Sequence, residues 1–257
     1  MLFNLNEGGL MGIIKTKEAW QISLVYIGFV MLVILGAYLL GSINSSIIIS
    51  KIIYRDDIRK HGSGNAGMTN MLRTYGKGAA GLTLIGDMLK TALAILLAAI
   101  FFGFNYVGGL SIGDGFCYVA GLFAVIGHIF PVYYGFKGGK GVLATATMAL
   151  ILTPIPFLIL LLLFVIIVWI SKYVSLGSVT VAILYPIVLH GYFTLRFPEA
   201  EKTLPGLVAF SAIALAIIIV WCHRGNLQRI SNRTERKISF KKKPKADTED
   251  NGNAEEK

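Results

Sequence analysis

Lys137-Gly138-Gly139-Lys140 sits between two long apolar runs, with Pro131 shortly before it in Gly127-His128-Ile129-Phe130-Pro131. Two lysines at a membrane edge are costly to hold unless something there needs their charge. Glycines let backbone approach a ligand closely and leave N–H groups open, so lysines plus open amides read as a phosphate site. A second glycine-rich stretch has the same character: Gly62, Ser63, Gly64, Asn65, Ala66, Gly67, Met68, Thr69 and Asn70, followed by Arg73. Packing alone would explain the glycines but not Ser63, Asn65, Thr69, Asn70, Arg73, Lys137 and Lys140, which suit phosphate oxygens. Two such loops suggest a pair of phosphorylated substrates.

A third constellation closes the last apolar run. His223 and Asn226 lie three residues apart, and Arg229 and Glu235 follow. If the helix continues through them, His223 and Asn226 share a face. Asp87 and Lys90 have the same spacing inside an apolar run. They are either functional or an ion pair that orients neighbouring helices. His128 is either a base or a hydrogen-bonded interfacial histidine. Ser175 and Ser178 flank Gly177 at the start of a run, where they cap a helix or leave amides open to an anion. Gly62-x-Gly64-x-x-Gly67 matches a dinucleotide fingerprint only formally, because no strand precedes it. No spacing of His, Cys, Asp or Glu suits a metal, and no cofactor is expected. Cys117 and Cys222 read as small buried hydrophobes.

The elements that position these residues are membrane helices. The chain of 257 residues is 55% hydrophobic and 15% charged, with mean hydropathy +0.68. Non-alternating apolar runs of about 20 residues predict an all-α, polytopic helix bundle and exclude a β-barrel. Seven spans are expected, near 23–50, 80–103, 116–135, 142–153, 155–171, 178–195 and 205–223, with a short helix near 70–75. The first run is too long for a signal h-region and is expected to be retained. Thr153-Pro154-Ile155-Pro156 divides the run 142–171, since proline removes a backbone donor. The net charge of +10 concentrates in 51–77, at Lys137, Lys140 and Lys172, and in the tail, whereas 103–115 has no Lys or Arg. The positive-inside rule puts those basic segments in the cytoplasm and the N-terminus outside. From Arg233 onward the basic residues read as a topology signal touching anionic lipid. No nucleic-acid module accompanies them. Residues 1–21 read as an extension, 22–238 as the membrane domain and 239–257 as a charged, disordered tail.

Together the blocks resemble the bacterial acyl-phosphate glycerol-3-phosphate acyltransferases of the PlsY type. The resemblance rests on Leu39-Leu40-Gly41-Ser42-Ile43 with Asp57 to Gly76, on Gly127 to Pro131 with Phe136 to Val142, and on His223 to Ile230 with Thr234 to Lys237. It implies transfer of an acyl group from acyl phosphate to the 1-hydroxyl of glycerol 3-phosphate, giving lysophosphatidic acid, at the cytoplasmic face of a bacterial cell membrane. By resemblance, Ser63, Arg73, His223 and Asn226 carry activity. The Lys137–Lys140 loop binds glycerol 3-phosphate, and Glu235 holds the structure together. Ser178, with Gly62, Gly64, Asn65, Thr69 and Asn70, completes the expected phosphate-binding set; Asp87 and Lys90 are expected to be structural. The partners are the two substrates and membrane lipid, with no obligatory protein partner. Two departures stand out: Asn44 where the family often has proline, and Arg233 where it often has glycine. The base is left open between His223 and a substrate phosphate. A transporter of a phosphorylated solute is the alternative, and a structural protein whose glycines only pack helices is a third class.

Overall fold

The computed structural model describes Leu10 and residues 19–104, 112–196 and 206–238. Among these residues all regular structure is helical: α1 (Ala19–Ser42), α2 (Ser45–Ile53), α3 (Met68–Tyr75), α4 (Lys77–Phe102), α5 (Ile112–Ile129), α6 (Val142–Leu152), α7 (Pro154–Ser171), α8 (Val174–Arg196), α9 (Gly206–Cys222) and α10 (Arg224–Ser231). The tail 239–257 and most of 1–21 lie outside the described residues.

Apolar helices stand at all of the expected positions, but not all are long enough to cross alone. Five segments are: Ser23–Ile53, Lys77–Phe102, Gly113–Tyr134, Pro154–Ser171 and Val174–Arg196. A sixth forms if α9 and α10, which bend by 51° against each other, are taken together. Helix α6 has 11 residues. At 1.5 Å per residue it is about 17 Å long, well short of a ~30 Å hydrocarbon core. The α6–α7 break falls at Thr153, and proline occupies the first position of α7, where its missing N–H costs nothing.

The first expected span is broken. α1 begins at Ala19 and ends at Ser42, and Asn44 starts α2 by accepting a hydrogen bond from the Ile47 N–H at 3.1 Å. Asn44 also donates from Nδ2 to the carbonyl of Ala66 at 3.4 Å. A proline could make neither bond, so this departure from the family pattern ties the α1–α2 corner to the first glycine loop. The corner frees the Ile43 carbonyl, which the site uses.

Helix α5 is the most enclosed span and packs on α1, α4, α6 and α9. Small residues permit that approach: a Cβ at Gly41 or Gly127 would strike backbone of the facing helix at Ala124 or Tyr38. The core is built from Ala, Val, Leu and Phe side chains of α1, α4, α5, α6, α8 and α9. By contrast α7 turns Leu158, Ile159, Leu162, Val165, Ile166, Trp169 and Ile170 outward. That surface suits lipid.

Four connections share one end of the bundle. Arg59, in the segment between α2 and α3, donates to the carbonyls of Tyr134 at 2.8 Å and Lys137 at 3.4 Å. Ala66 N–H donates to the carbonyl of Gly138 at 3.4 Å. Lys140 contacts Asn226 beyond α9. The final segment returns to the α7–α8 turn, where Ile238 N–H donates to the Lys172 carbonyl at 2.9 Å. The two glycine loops therefore lie against each other at one end.

Candidate active site

A cavity of about 660 Å³ opens at that end. Its polar part is lined by Gly62, Ser63, Asn65, Thr69, Asn70 and Arg73 from the first loop and α3, with Lys140, Ser175, Ser178, His223, Asn226 and Glu235 from the others. Its apolar part runs between α6, α7 and α8 past Leu143, Ala149, Leu160, Phe164, Val181 and Ala182. Asp87, His128, Thr145 and Tyr185 also reach it. The shape joins a charged head to a greasy interior.

Lys140 sits at the junction. It donates from Nζ to Asn226 Oδ1, in a short contact. Asn226 Nδ2 donates in turn to Glu235 Oε1 at 2.7 Å, which also accepts from Ser175 Oγ at 2.6 Å. Arg229 Nε donates to the other oxygen, Oε2, at 2.8 Å. Burial alone would raise the Glu235 carboxyl, but hydrogen bonds from Ser175, Asn226 and Arg229 outweigh it and hold the pKa below the ordinary value. Burial pulls the Lys140 pKa down. Asn226 is thereby fixed in orientation and carries the ammonium's field to the carboxylate.

His223 occupies the turn between α9 and α10. Its Nδ1 lies 2.8 Å from the Ile219 carbonyl. A carbonyl can only accept, so Nδ1 carries the proton and Nε2 is left with its lone pair. The helix does not continue straight from His223 to Asn226, as the sequence suggested. The 51° bend instead places both in the cavity wall.

The first loop is braced from inside. Asn70 Oδ1 accepts from Ser63 N–H at 3.1 Å, while its Nδ2 donates to the carbonyls of His61 and Ile58 at 2.9 and 3.2 Å. Gly62 and Gly64 hold φ of 60° and 71°, which glycine adopts without strain. Ser63, Gly64, Ala66 and Gly67 spend their N–H groups within the fold. Met68 and Thr69 open α3 and line the cavity, and helix geometry leaves their amides without intrahelical acceptors.

The second loop differs from expectation. Gly138 N–H donates to Ile129 O at 3.1 Å and Gly139 N–H to His128 O at 3.0 Å, so neither amide is open. A Cβ at Gly138 would collide with the His128 carbonyl, and one at Gly139 with the His128 ring. These glycines permit close packing. Lys137 is exposed and, with Gly138, Gly139 and Gly64, is not among the lining residues; only Lys140 turns inward. Ser175 and Ser178 lie inside α8 rather than capping it. Ser178 Oγ donates back to Val174 O at 2.9 Å.

Beneath the second loop lies a buried trio. Lys90 Nζ donates to the freed Ile43 carbonyl at 2.8 Å, lies 3.0 Å from Asp87 Oδ1 and meets His128 Nδ1 at 2.9 Å. An ammonium only donates, so His128 Nδ1 accepts and its Nε2 carries the proton. The ion pair thus orients both helices and a loop. Sequence spacing joined Asp87 to Lys90, but not His128, 38 residues from Lys90.

Arg73 and Arg236 face the same cavity. Burial, and then the nearby charge of Arg236, lowers the Arg73 pKa. The sequence reading assigned Arg236 to topology and passed over Thr145.

Fold and site together define a multi-helix membrane protein whose cavity joins a cationic mouth to an apolar interior. The chain matches the family model for glycerol-3-phosphate acyltransferase over residues 31–233. A glycerol-3-phosphate acyltransferase of Mycoplasmopsis agalactiae is 41% identical over 229 residues, covering 82% of this chain and 94% of the relative. One from Streptococcus thermophilus is 40% identical over 215 residues, covering 82% and 94%. The crystal structure of PlsY, an integral membrane glycerol 3-phosphate acyltransferase, in its glycerol 3-phosphate form is 31% identical, with a TM-score of 0.68 over 82% of this chain and 96% of that one. Its lysophosphatidic acid form gives 30% and 0.66. The chain belongs to the glycerol-3-phosphate acyltransferase family.

Proposed function

We propose that this protein acylates the 1-hydroxyl of glycerol 3-phosphate with acyl phosphate as donor, releasing lysophosphatidic acid and inorganic phosphate. The observation that carries the reading is the union, in one cavity, of a cationic head (Arg73, Lys140) and an apolar channel (Leu143, Leu160, Phe164, Val181). The channel takes the acyl chain and the head takes the two phosphates. The relatives bear the matching name, and the solved structures are described in glycerol 3-phosphate and lysophosphatidic acid forms.

The hydroxyl oxygen attacks the carbonyl carbon of the acyl phosphate. A tetrahedral oxyanion forms, then the bond to phosphate breaks. Nε2 of His223 accepts a hydrogen bond from the hydroxyl and aims its oxygen. With Nδ1 committed to the Ile219 carbonyl, His223 positions the hydroxyl, and the departing phosphate, whose second pKa is about 6, takes the proton. Lys140 and Arg73 neutralise the departing charge. The α3 amides and Ser63 supply further donors to phosphate oxygens. A transporter would need a polar path across the bundle, whereas this cavity continues in apolar wall.

Positive residues cluster on the loops around the site, which favours a cytoplasmic mouth and an external N-terminus. The seven-helix crossing pattern then requires α6 to be a short crossing helped by local thinning. The direct test incubates the purified protein in lipid with acyl phosphate and labelled glycerol 3-phosphate. Labelled lysophosphatidic acid is expected. A folded preparation that makes none, while holding the substrates, overturns the reading.

A further inference from the structure

The segment after α10 does more than end the bundle. Glu235 is pinned by Ser175, Asn226 and Arg229, and its N–H donates to Arg229 O at 3.1 Å. Three residues on, Ile238 N–H is held by the Lys172 carbonyl at 2.9 Å. Arg236 lies between these two anchors, so its backbone cannot swing away from the mouth. Its side chain lines the cavity together with Arg73. Among the described residues neither guanidinium makes a salt bridge or a side-chain hydrogen bond. Every other charge lining the cavity has a contact: Lys140 with Asn226, Arg229 with Glu235, Asp87 with Lys90.

Both guanidiniums are exposed and line the same cavity, and the charge of Arg236 disfavours that of Arg73, so two like charges oppose each other at the mouth. Arg236 is exposed, so burial does not hold its side chain there. A doubly charged oxyanion between them would relieve the repulsion and accept from both planar forks.

We propose that Arg236 and Arg73 form a paired-arginine clamp for a phosphate dianion at the cavity mouth, with Arg236 supplied by the C-terminal strap. The clamp rests on the acyl-transfer reading for its ligand: the phosphate of glycerol 3-phosphate, that of the acyl donor, or the inorganic phosphate released. The source is separable by experiment, because only one Michaelis constant should respond strongly.

The test compares the full-length parent with R236Q, R236K and, as a charge control three residues away and outside the cavity lining, R233N. Asparagine tolerates the left-handed backbone at that position. Inorganic phosphate is titrated by calorimetry without turnover, and steady-state constants are measured for both substrates. R236Q should weaken phosphate binding and raise the KM of one substrate by about 5- to 20-fold, with kcat within about threefold. A rise confined to glycerol 3-phosphate assigns the clamp to the acceptor; a rise confined to acyl phosphate assigns it to the donor. R236K should recover part of the loss, and R233N should bind phosphate as the parent does. The clamp is overturned if folded R236Q binds phosphate within twofold of the parent, or if R233N loses as much as R236Q. If R236Q fails to fold, R236K decides: unchanged phosphate affinity in that variant also overturns the clamp. Phosphate titration keeps this outcome separate from failure of the acyl-transfer reading, since it needs no acyl donor.

Discussion

Replacing Gly139 by alanine should damage the protein through His128 rather than through a lost amide. The new methyl group would enter the space of the His128 ring and press on the Ala66 carbonyl, 2.8 Å away. The ring cannot retreat freely. It is 4% exposed, and its Nδ1 is held at 2.9 Å by Lys90, itself anchored to Ile43 O and Asp87. Overpacking costs about 1–3 kcal/mol. Losing the hydrogen bond between His128 and a buried ammonium adds about 1.5–3 kcal/mol. At ~2–4 °C per kcal/mol for chains of this size, the apparent Tm should drop by roughly 10 °C. The assay is thermal unfolding in detergent with matched turnover at a permissive temperature. Gly78→Ala is the control: nothing lies within 4 Å of its added Cβ, near the start of α4. It should be neutral or stabilising by up to about 1 kcal/mol. A G139A protein with the parent's Tm and turnover would refute the reasoning, as would G78A failing equally.

Asp87→Asn should cost about 3–5 kcal/mol, because Lys90 keeps a buried charge without its carboxylate; the double variant D87N/K90M should recover part of that in thermal unfolding, and a double variant worse than the sum of the singles would refute the pairing. His223→Gln should lower kcat by about 10- to 100-fold, because it removes the ring nitrogen that aims the hydroxyl; an unchanged kcat would refute that role. Arg233→Gly should stabilise by roughly 0.5–1 kcal/mol, since residue 233 holds φ of 58°, a left-handed conformation that charges side chains and not glycine; a fall in Tm would count against it.

The helix bundle was legible because burial in lipid writes itself as long apolar runs, and Thr153–Pro156 marked the α6–α7 break by removing donors. The corner at Asn44 was not read, although asparagine before Ser45 is a helix-start signal, because the apolar residues continue across it. In the first loop Ser63 and Arg73 line the cavity as expected. Asn70 turned out to brace the loop, since one-dimensional sequence cannot say which acceptor an amide finds. In the second loop the glycine pair advertised open amides, yet two carbonyls at the end of α5 consume them. Only the parity of Lys137 and Lys140 about that turn decides which one faces inward, and no spacing rule fixes it. His128 joins Lys90 across helices, where local periodicity carries no information. Arg236 was lost among tail charges because a cation that sets topology and one that faces a cavity look alike in sequence.

The mouth is finished by the strap that runs back from α10 to the α7–α8 turn. Chains fold from the N-terminus while still being made, so the early helices settle before this segment leaves the ribosome. A chain made only through α8 would hold the helices of the apolar channel and the first loop but lack His223, Asn226 and Glu235. Under the proposed mechanism the cavity is finished only when this strap docks, so turnover would follow that closure and not the packing of the earlier helices.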